Sequence, residues 1–224
     1  MKNIFDEIEK KAFEMGAFKV AVADISNIGS EKYAKYKRAI TFIIPLGKGI
    51  IEKIEDSPTY EYFHHYRSVN RLIDDITLQA TLIIEKAGFR AYPIGASQSV
   101  KGDYEAAFSH KMAGTMSGSG WIGKSALFVT KEHGPRVRLG TVLTDIEFDN
   151  CGEPIKESQC GECKVCFEKC PALAITGKNW RVEMKREEIF DAKACSDYMK
   201  NKFKDIGRGA VCGICVRYCP YSKI

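Results

Sequence analysis

Apolar residues at Ile4, Phe5, Ile8, Ala12 and Phe13 recur at helical spacing and predict a helix over 4–15, with Gly16 placed to end it. "FKVAVADI" (18–25) and "AITFIIPL" (39–46) read as strands, the second apolar enough for a buried central position. A long helix is predicted over 60–87, with Leu72, Ile73, Ile76, Ala80 and Ile83 on one face and Gly88 as its stop. "FRAYPIG" reads as a short strand, 104–116 as a helix ending at "SGSG", and "ALFVT" (126–130) and "RLGTVLTDI" (138–146) as strands. After Asp149 the texture changes, and cysteines, short segments and lysines replace the apolar runs. The pattern predicts an α/β core over 1–150 followed by a small metal-dependent module over 151–224.

Composition narrows the chemistry. The chain has 224 residues and is 45% apolar, enough for one sizeable core and a small appendage. No apolar run approaches the roughly eighteen residues of a membrane span. "MKNIFDEIEKKAFEMG" lacks the apolar block of a signal peptide, so a cytoplasmic protein with reduced thiols is expected. Nine cysteines in that compartment point to metal or redox chemistry, and their odd number argues against a closed disulfide framework.

The cysteines fall into two runs. Cys160, Cys163, Cys166 and Cys170 form CxxCxxCxxxCP, the bacterial ferredoxin spacing, in which three thiolates close on one cubane and the fourth points to a second cluster. Site A then holds Cys160, Cys163 and Cys166. By the same logic "CGICVRYCP" gives Cys212 and Cys215 to site B, while Cys219 crosses over to complete site A. Site B has Cys170, Cys212 and Cys215 and needs a fourth ligand. Cys195, in "DAKACSDYM" between the runs, is placed to supply it from a folded loop, which leaves Cys151 spare. Zinc is the competing reading, since paired CxxC motifs hold it. Zinc ribbons seldom use CxxCxxCxxxCP with prolines after the last thiols, which favours two [4Fe–4S] clusters. Two clusters in series in turn favour electron transfer over a purely structural role.

The formal charge of +5 raises nucleic acid as a partner. Eight thiolates and two cores of about +2 each would bring the holoprotein to roughly +1, and no block of like charge forms a basic tail. Composition does not favour nucleic acid.

"GSGWIGKS" (118–125) matches the phosphate-loop pattern letter for letter. That loop needs a strand before it and a helix after it, and here a helix precedes and a strand follows. An ATPase is rejected on that ground. Two readings of the segment stay open. Gly118, Gly120 and Gly123 either form a tight turn around a core Trp121, or let the backbone approach a planar cofactor with Lys124 offered to a phosphate or carboxylate.

"HKMAGTMSGSGWIGKSALFVT", "GPRVRLGTVLTDIEF" and the two cysteine runs with Cys195 between them resemble the epoxyqueuosine reductase family and its relatives, the reductive dehalogenases. The resemblance covers about residues 60–224. It implies a nitroreductase-like α/β domain holding cobalamin and a module with two [4Fe–4S] clusters, with the same ligand partition, Cys195 included. Electrons would pass through the clusters to cobalt for reductive removal of an oxygen or halogen, supplied by a donor such as a ferredoxin or flavodoxin. The cobalamin contacts implied are Gly118, Gly120, Trp121, Gly123 and Lys124, with His110, His64 and His65 as candidates to line the pocket. Alignment puts Tyr104 at the position of the family's catalytic acid and Asp103 one residue earlier. Epoxyqueuosine reductases carry a C-terminal helical-repeat extension associated with tRNA, which does not follow "CPYSKI" here. A small or medium-sized substrate is therefore expected before tRNA. The alternatives are an iron–sulfur electron-transfer protein without corrinoid and a reductase whose core holds flavin (FMN).

Overall fold

The computed structural model describes residues 2–28, 31–97 and 108–224. In chain order the main elements are α1 (Lys2–Glu14), β1 (Lys19–Asp24), β2 (Arg38–Pro45), α2 (Lys48–Ile51), α3 (Tyr60–Lys86), β3 (Ala91–Ile94), α4 (His110–Met116), β4 (Trp121–Ile122), β5 (Phe128–Val129), β6 (Val137–Thr144), α5 (Val165–Glu168), α6 (Ala192–Lys202) and α7 (Ile214–Arg217). The result is a mixed α/β protein. Gly16 (φ +102°) and Gly88 (φ +87°) follow α1 and α3 in the left-handed region, where a side chain would be strained, and so stop both helices.

The chain divides into two compact units. The first comprises residues 1–45, 69–119 and 138–155, the second 46–68, 120–137 and 156–224. The domains expected from the sequence, 1–150 and 151–224, are each continuous; the compact units are not.

In the first unit four strands form a sheet in the order β1-β2-β6-β3, with β1 antiparallel to β2 and β3 antiparallel to β6. The middle strands β2 and β6 are buried along nearly their whole length, threonines included. A Cβ on Gly140 of β6 would meet Ile73 and Thr77 of α3 at 2.6 and 3.0 Å, so a glycine is what lets α3 lie against the sheet. Side chains alternate along a strand, and the neighbours Thr141 and Leu143 face α4 instead: Thr141 bonds His110, and Leu143 packs in one cluster with Ala113. The sheet thus carries α3 on one face and α4 on the other. Ile73, Ile76, Ala80 and Ile84 form the buried stripe of α3, each fully buried isoleucine worth about 1.5–3 kcal/mol of transfer free energy. Ile84 takes the place expected of Ile83. Likewise Phe5, Ile8 and Ala12 are buried on α1 while Phe13 is 46% exposed, because the stripe follows the i, i+3, i+4 positions from Phe5.

The second unit has little regular structure. β4 and β5 make a two-stranded antiparallel hairpin, and α5, α6 and α7 are joined by turns. One apolar cluster in it joins Ala126, Trp180 and Ile189, with Ile122, Met184 and Phe190 against them. Residues 46–68 pack within it. Cβ atoms on Gly207 and Gly213 would strike the rings of Phe63 and Tyr62, so glycines let the cysteine-bearing loops close over those aromatics.

Candidate metal centres

The second unit gathers eight cysteines into two groups. Cys160, Cys163, Cys166 and Cys219 line one cavity together with Gly123, Lys124, Ser125 and Tyr221. Cys166 sits on α5, whose first turn follows the 160–163 turn; Cys219 arrives from the turn after α7. Burial pushes the Cys219 thiol up to about 12, with Cys160, Cys166 and Cys163 adding to the shift, and the Cys166 thiol up to about 11, with Cys160 and Cys163 adding to it.

The second group is Cys170, Cys195, Cys212 and Cys215. Burial pushes Cys195 up to about 12, with Cys212 and Cys170 adding to it. Burial, then Cys212, Cys195, Cys166 and Cys170, holds Cys215 well above the ordinary thiol range. Cys195 stands on α6, a helix with Asp191 as its N-cap, and not in the expected loop. An Asp cap accepting from the Ala194 amide starts a regular helix here, a local signal present in "DAKACSDYM".

Cys151 lies in the first unit, where its Sγ–H points to the Phe148 carbonyl at 3.5 Å. The second unit therefore holds two four-cysteine groups, and Cys151 belongs to the first unit. Nine free thiols are present. Four half-buried sulfurs that would repel one another as thiolates suit a polycation between them, and thiolate is the donor that iron–sulfur cores take. The donor sets fit the clusters.

From Gly120 on, the "GSGWIGKS" segment opens the β4–β5 hairpin of the second unit. Gly123 N–H donates to Leu127 O and Ala126 N–H to Gly123 O, which closes a tight β4–β5 loop. No helix follows it, as a phosphate loop would need. Trp121 is 1% exposed and meets the Tyr221 ring edge to face at 5.0 Å between centroids. Lys124 is 4% exposed and donates to Cys163 O at 2.9 Å, so its ammonium is turned to the cysteine cavity and not to an open surface. A Cβ on Gly120 would sit 2.3 Å from Val129 O, and one on Gly123 2.8 Å from Val129 Cγ2 and 3.5 Å from Cys160 Sγ. In the first unit, a Cβ on Gly118 would sit 2.7 Å from Glu153 O. Protein atoms occupy the position a side chain would take at these glycines, and the core-tryptophan turn is the reading the geometry supports.

His110 is also engaged. Its Nε2 lies 3.1 Å from Gly95 O and its Nδ1 2.8 Å from Thr141 Oγ1. A carbonyl only accepts, so Nε2 carries the hydrogen and Nδ1 accepts from the threonine hydroxyl. Burial holds the ring's pKa below the ordinary histidine value, which keeps it neutral. Both nitrogens are committed to protein. His65 accepts from the Gly47 amide at 2.8 Å, and Ser68 bonds the carbonyl of His64. Tyr104 and Asp103 lie outside the described residues. The sequence reading missed Ser125 and Tyr221 as lining residues, which only the folded hairpin brings to the cavity.

Comparison with known proteins agrees with the cysteine geometry. Residues 159–222 match the family model of the 4Fe-4S double cluster binding domain. An epoxyqueuosine reductase of Vibrio cholerae serotype O1 is 31% identical over 117 residues, covering 48% of this chain and 29% of that protein. A tetrachloroethene reductive dehalogenase of Desulfitobacterium hafniense is 26% identical over 205 residues, covering 87% of this chain and 35% of that protein. A reductive dehalogenase structure interpreted in terms of B12-dependent dehalogenation aligns with a TM-score of 0.74 at 17% identity, over 96% of this chain and 31% of that one. The resemblance first drawn from "GWIGK" and the cysteine runs thus extends to both groups, and the structural likeness carries the fold. The chain spans about a third of the length of these relatives. Among the described residues no helix is long and apolar enough to cross a membrane.

Proposed function

We propose that the protein is an iron–sulfur reductase whose two [4Fe–4S] clusters, at Cys160/163/166/219 and Cys170/195/212/215, relay single electrons from a ferredoxin- or flavodoxin-like donor to a reducible centre. The observation that supports it is the gathering of eight cysteines into two four-sulfur groups inside one small unit. Burial would matter to the relay: the half-buried cysteines would hold a cluster partly shielded from water, and the surrounding charge would set its potential. Cysteines not joined in disulfides fit a reducing, cytoplasmic setting.

The similarity to epoxyqueuosine reductases and reductive dehalogenases favours cobalamin as the terminal centre, in a nitroreductase-like first unit, with a small or medium-sized substrate before tRNA. When bound, a corrinoid supplies reductive deoxygenation or dehalogenation chemistry. At Gly120 and Gly123 the side-chain position is taken by protein atoms, which supports a structural role for those glycines. The proton donor of such a reaction is assigned to the pair Tyr104 and Asp103: Tyr104→Phe stops turnover if the phenol is the acid, Asp103→Asn if the carboxyl is. A second reading, an electron-transfer protein without corrinoid, is favoured by one observation, that protein atoms occupy the side-chain position at Gly120 and Gly123.

The deciding experiment is anaerobic reconstitution with iron and sulfide, followed by equilibration with cobalamin, gel filtration and a visible spectrum. Broad cluster absorbance with co-eluting corrinoid bands supports the reductase. Cluster absorbance alone supports the electron-transfer reading, flavin bands in the purified protein would place FMN in the core, and absence of cluster absorbance overturns both iron–sulfur readings.

A further inference from the structure

We infer that Lys124 is the fixed counter-charge of the site A cluster and raises its reduction potential relative to that of site B. This rests on the reading of the cysteine groups as cluster sites. Lysines are almost never fully buried without a partner, because a desolvated ammonium is costly. Of the 34 lysines and arginines, Lys124 and Arg136 are the buried ones among the described residues. Arg136 is satisfied by the carbonyls of Leu46 and Ser222 and by His133. Lys124 has the Cys163 carbonyl, a neutral acceptor, and no carboxylate within ion-pair distance among the described residues.

What it does face is the cavity of Cys160, Cys163, Cys166 and Cys219, and among the cavity's described lining residues it is the one basic side chain. An oxidised [4Fe–4S] core of about +2 on four thiolates carries about −2, which supplies the missing anion. Reduction adds one electron from a low-potential donor, with no bond made or broken, and takes the unit to about −3. A cation buried beside it favours the more negative state, and weak dielectric screening enlarges the preference. The hairpin explains why the motif has this form. Gly123 lets the strand pass Val129 and Cys160, and the next residue then delivers its ammonium into the cavity.

The test is a spectroelectrochemical titration, followed by EPR, of fully iron-loaded wild type, Lys124→Gln, Lys124→Arg and, as an exposed control, Lys131→Gln. Gln retains a donor for the Cys163 carbonyl but not the charge. The one-electron equilibrium of one cluster in Lys124→Gln is expected to shift at least tenfold toward oxidised, which is ~59 mV lower. The other cluster should not move, Lys124→Arg should lie near wild type, and Lys131→Gln should change neither. Unchanged potentials in a fully loaded Lys124→Gln would overturn the inference, as would Arg and Gln shifting alike. Should Gln fail to take up iron, loading of Arg at wild-type potentials sustains the charge role, and failure of both shows that shape matters instead. Wild-type protein that takes up no iron overturns the cluster reading, and this inference with it.

Discussion

Gly120 passes beneath Val129 so closely that a Cβ at 120 would stand 2.3 Å from the Val129 carbonyl oxygen and 2.7 Å from the Phe128 ring. Backbone cannot give way as a side-chain tip can, so Gly120→Ala must spread the β4–β5 hairpin. We expect a loss of about 1–3 kcal/mol, with the thermal midpoint of loaded protein falling about 2–4 °C for each kcal/mol. Because Gly123 and Lys124 of the same hairpin line the site A cavity, iron should also be lost faster to a chelator. A melt and a chelation time course check this. Wild-type values for both would mean the hairpin accommodates the methyl group.

Cys195 and Cys151 make opposite forecasts. Cys195 neighbours Cys170 and Cys212, whereas Cys151 bonds a carbonyl in the other unit. Cys195→Ser should lose roughly half of the iron, one cluster of two, since serine replaces the thiolate such cores take. Cys151→Ser should keep all of it. Anaerobic iron and sulfide analysis decides, and the reverse pattern would sink the partition.

Acid should loosen the first unit through His110. Its folded pKa is depressed by burial, so the unfolded chain binds a proton that the folded one refuses. Stability is full above the unfolded value near 6.5 and falls as pH drops below it toward the folded pKa. The slope reaches at most about 1.4 kcal/mol per pH unit for this one group. Denaturant melts between neutral and mildly acid pH, compared with His110→Gln, would show it. A variant with the same slope as wild type would remove His110 as the cause.

Removing iron should open the second unit along all three of its segments. The four-sulfur groups join residues far apart in sequence, so the metal ties together segments that the chain order does not. Limited proteolysis of apoprotein is expected to cut within 46–68 and 120–137 as well as after 156, while the strands of the first unit survive. Cuts confined to 151–224 would favour the single boundary near residue 150.

Periodicity located the regular elements well because their burial is local: α3 begins at Tyr60 as predicted and ends one residue early, and β2 and β6 shift by one or two. Cysteine spacing likewise carried the two groups, since ligand geometry is written in the intervals themselves. What was not legible is what depends on non-local packing. The roles of Gly120, Gly123 and Lys124 depend on Val129 and on cysteines some forty residues and more away, and the same glycines read equally as a cofactor approach. His110 shows the same limit, since no pattern in "FSHKM" announces that Gly95 and Thr141 will occupy both ring nitrogens.

The chain has two tryptophans, and both belong to the second unit. Trp121 stacks edge-on against Tyr221, itself at the wall of the sulfur cavity, and Trp180 sits in an apolar cluster beside Ala126. Light emitted at the red edge of the ultraviolet therefore comes from that unit alone, within reach of any chromophore the cysteines hold. Iron–sulfur cores absorb broadly across the emission band, so loading should darken the indoles and release of iron should restore them. The protein carries its own optical gauge of cluster occupancy, readable without a label and blind to events in the sheet.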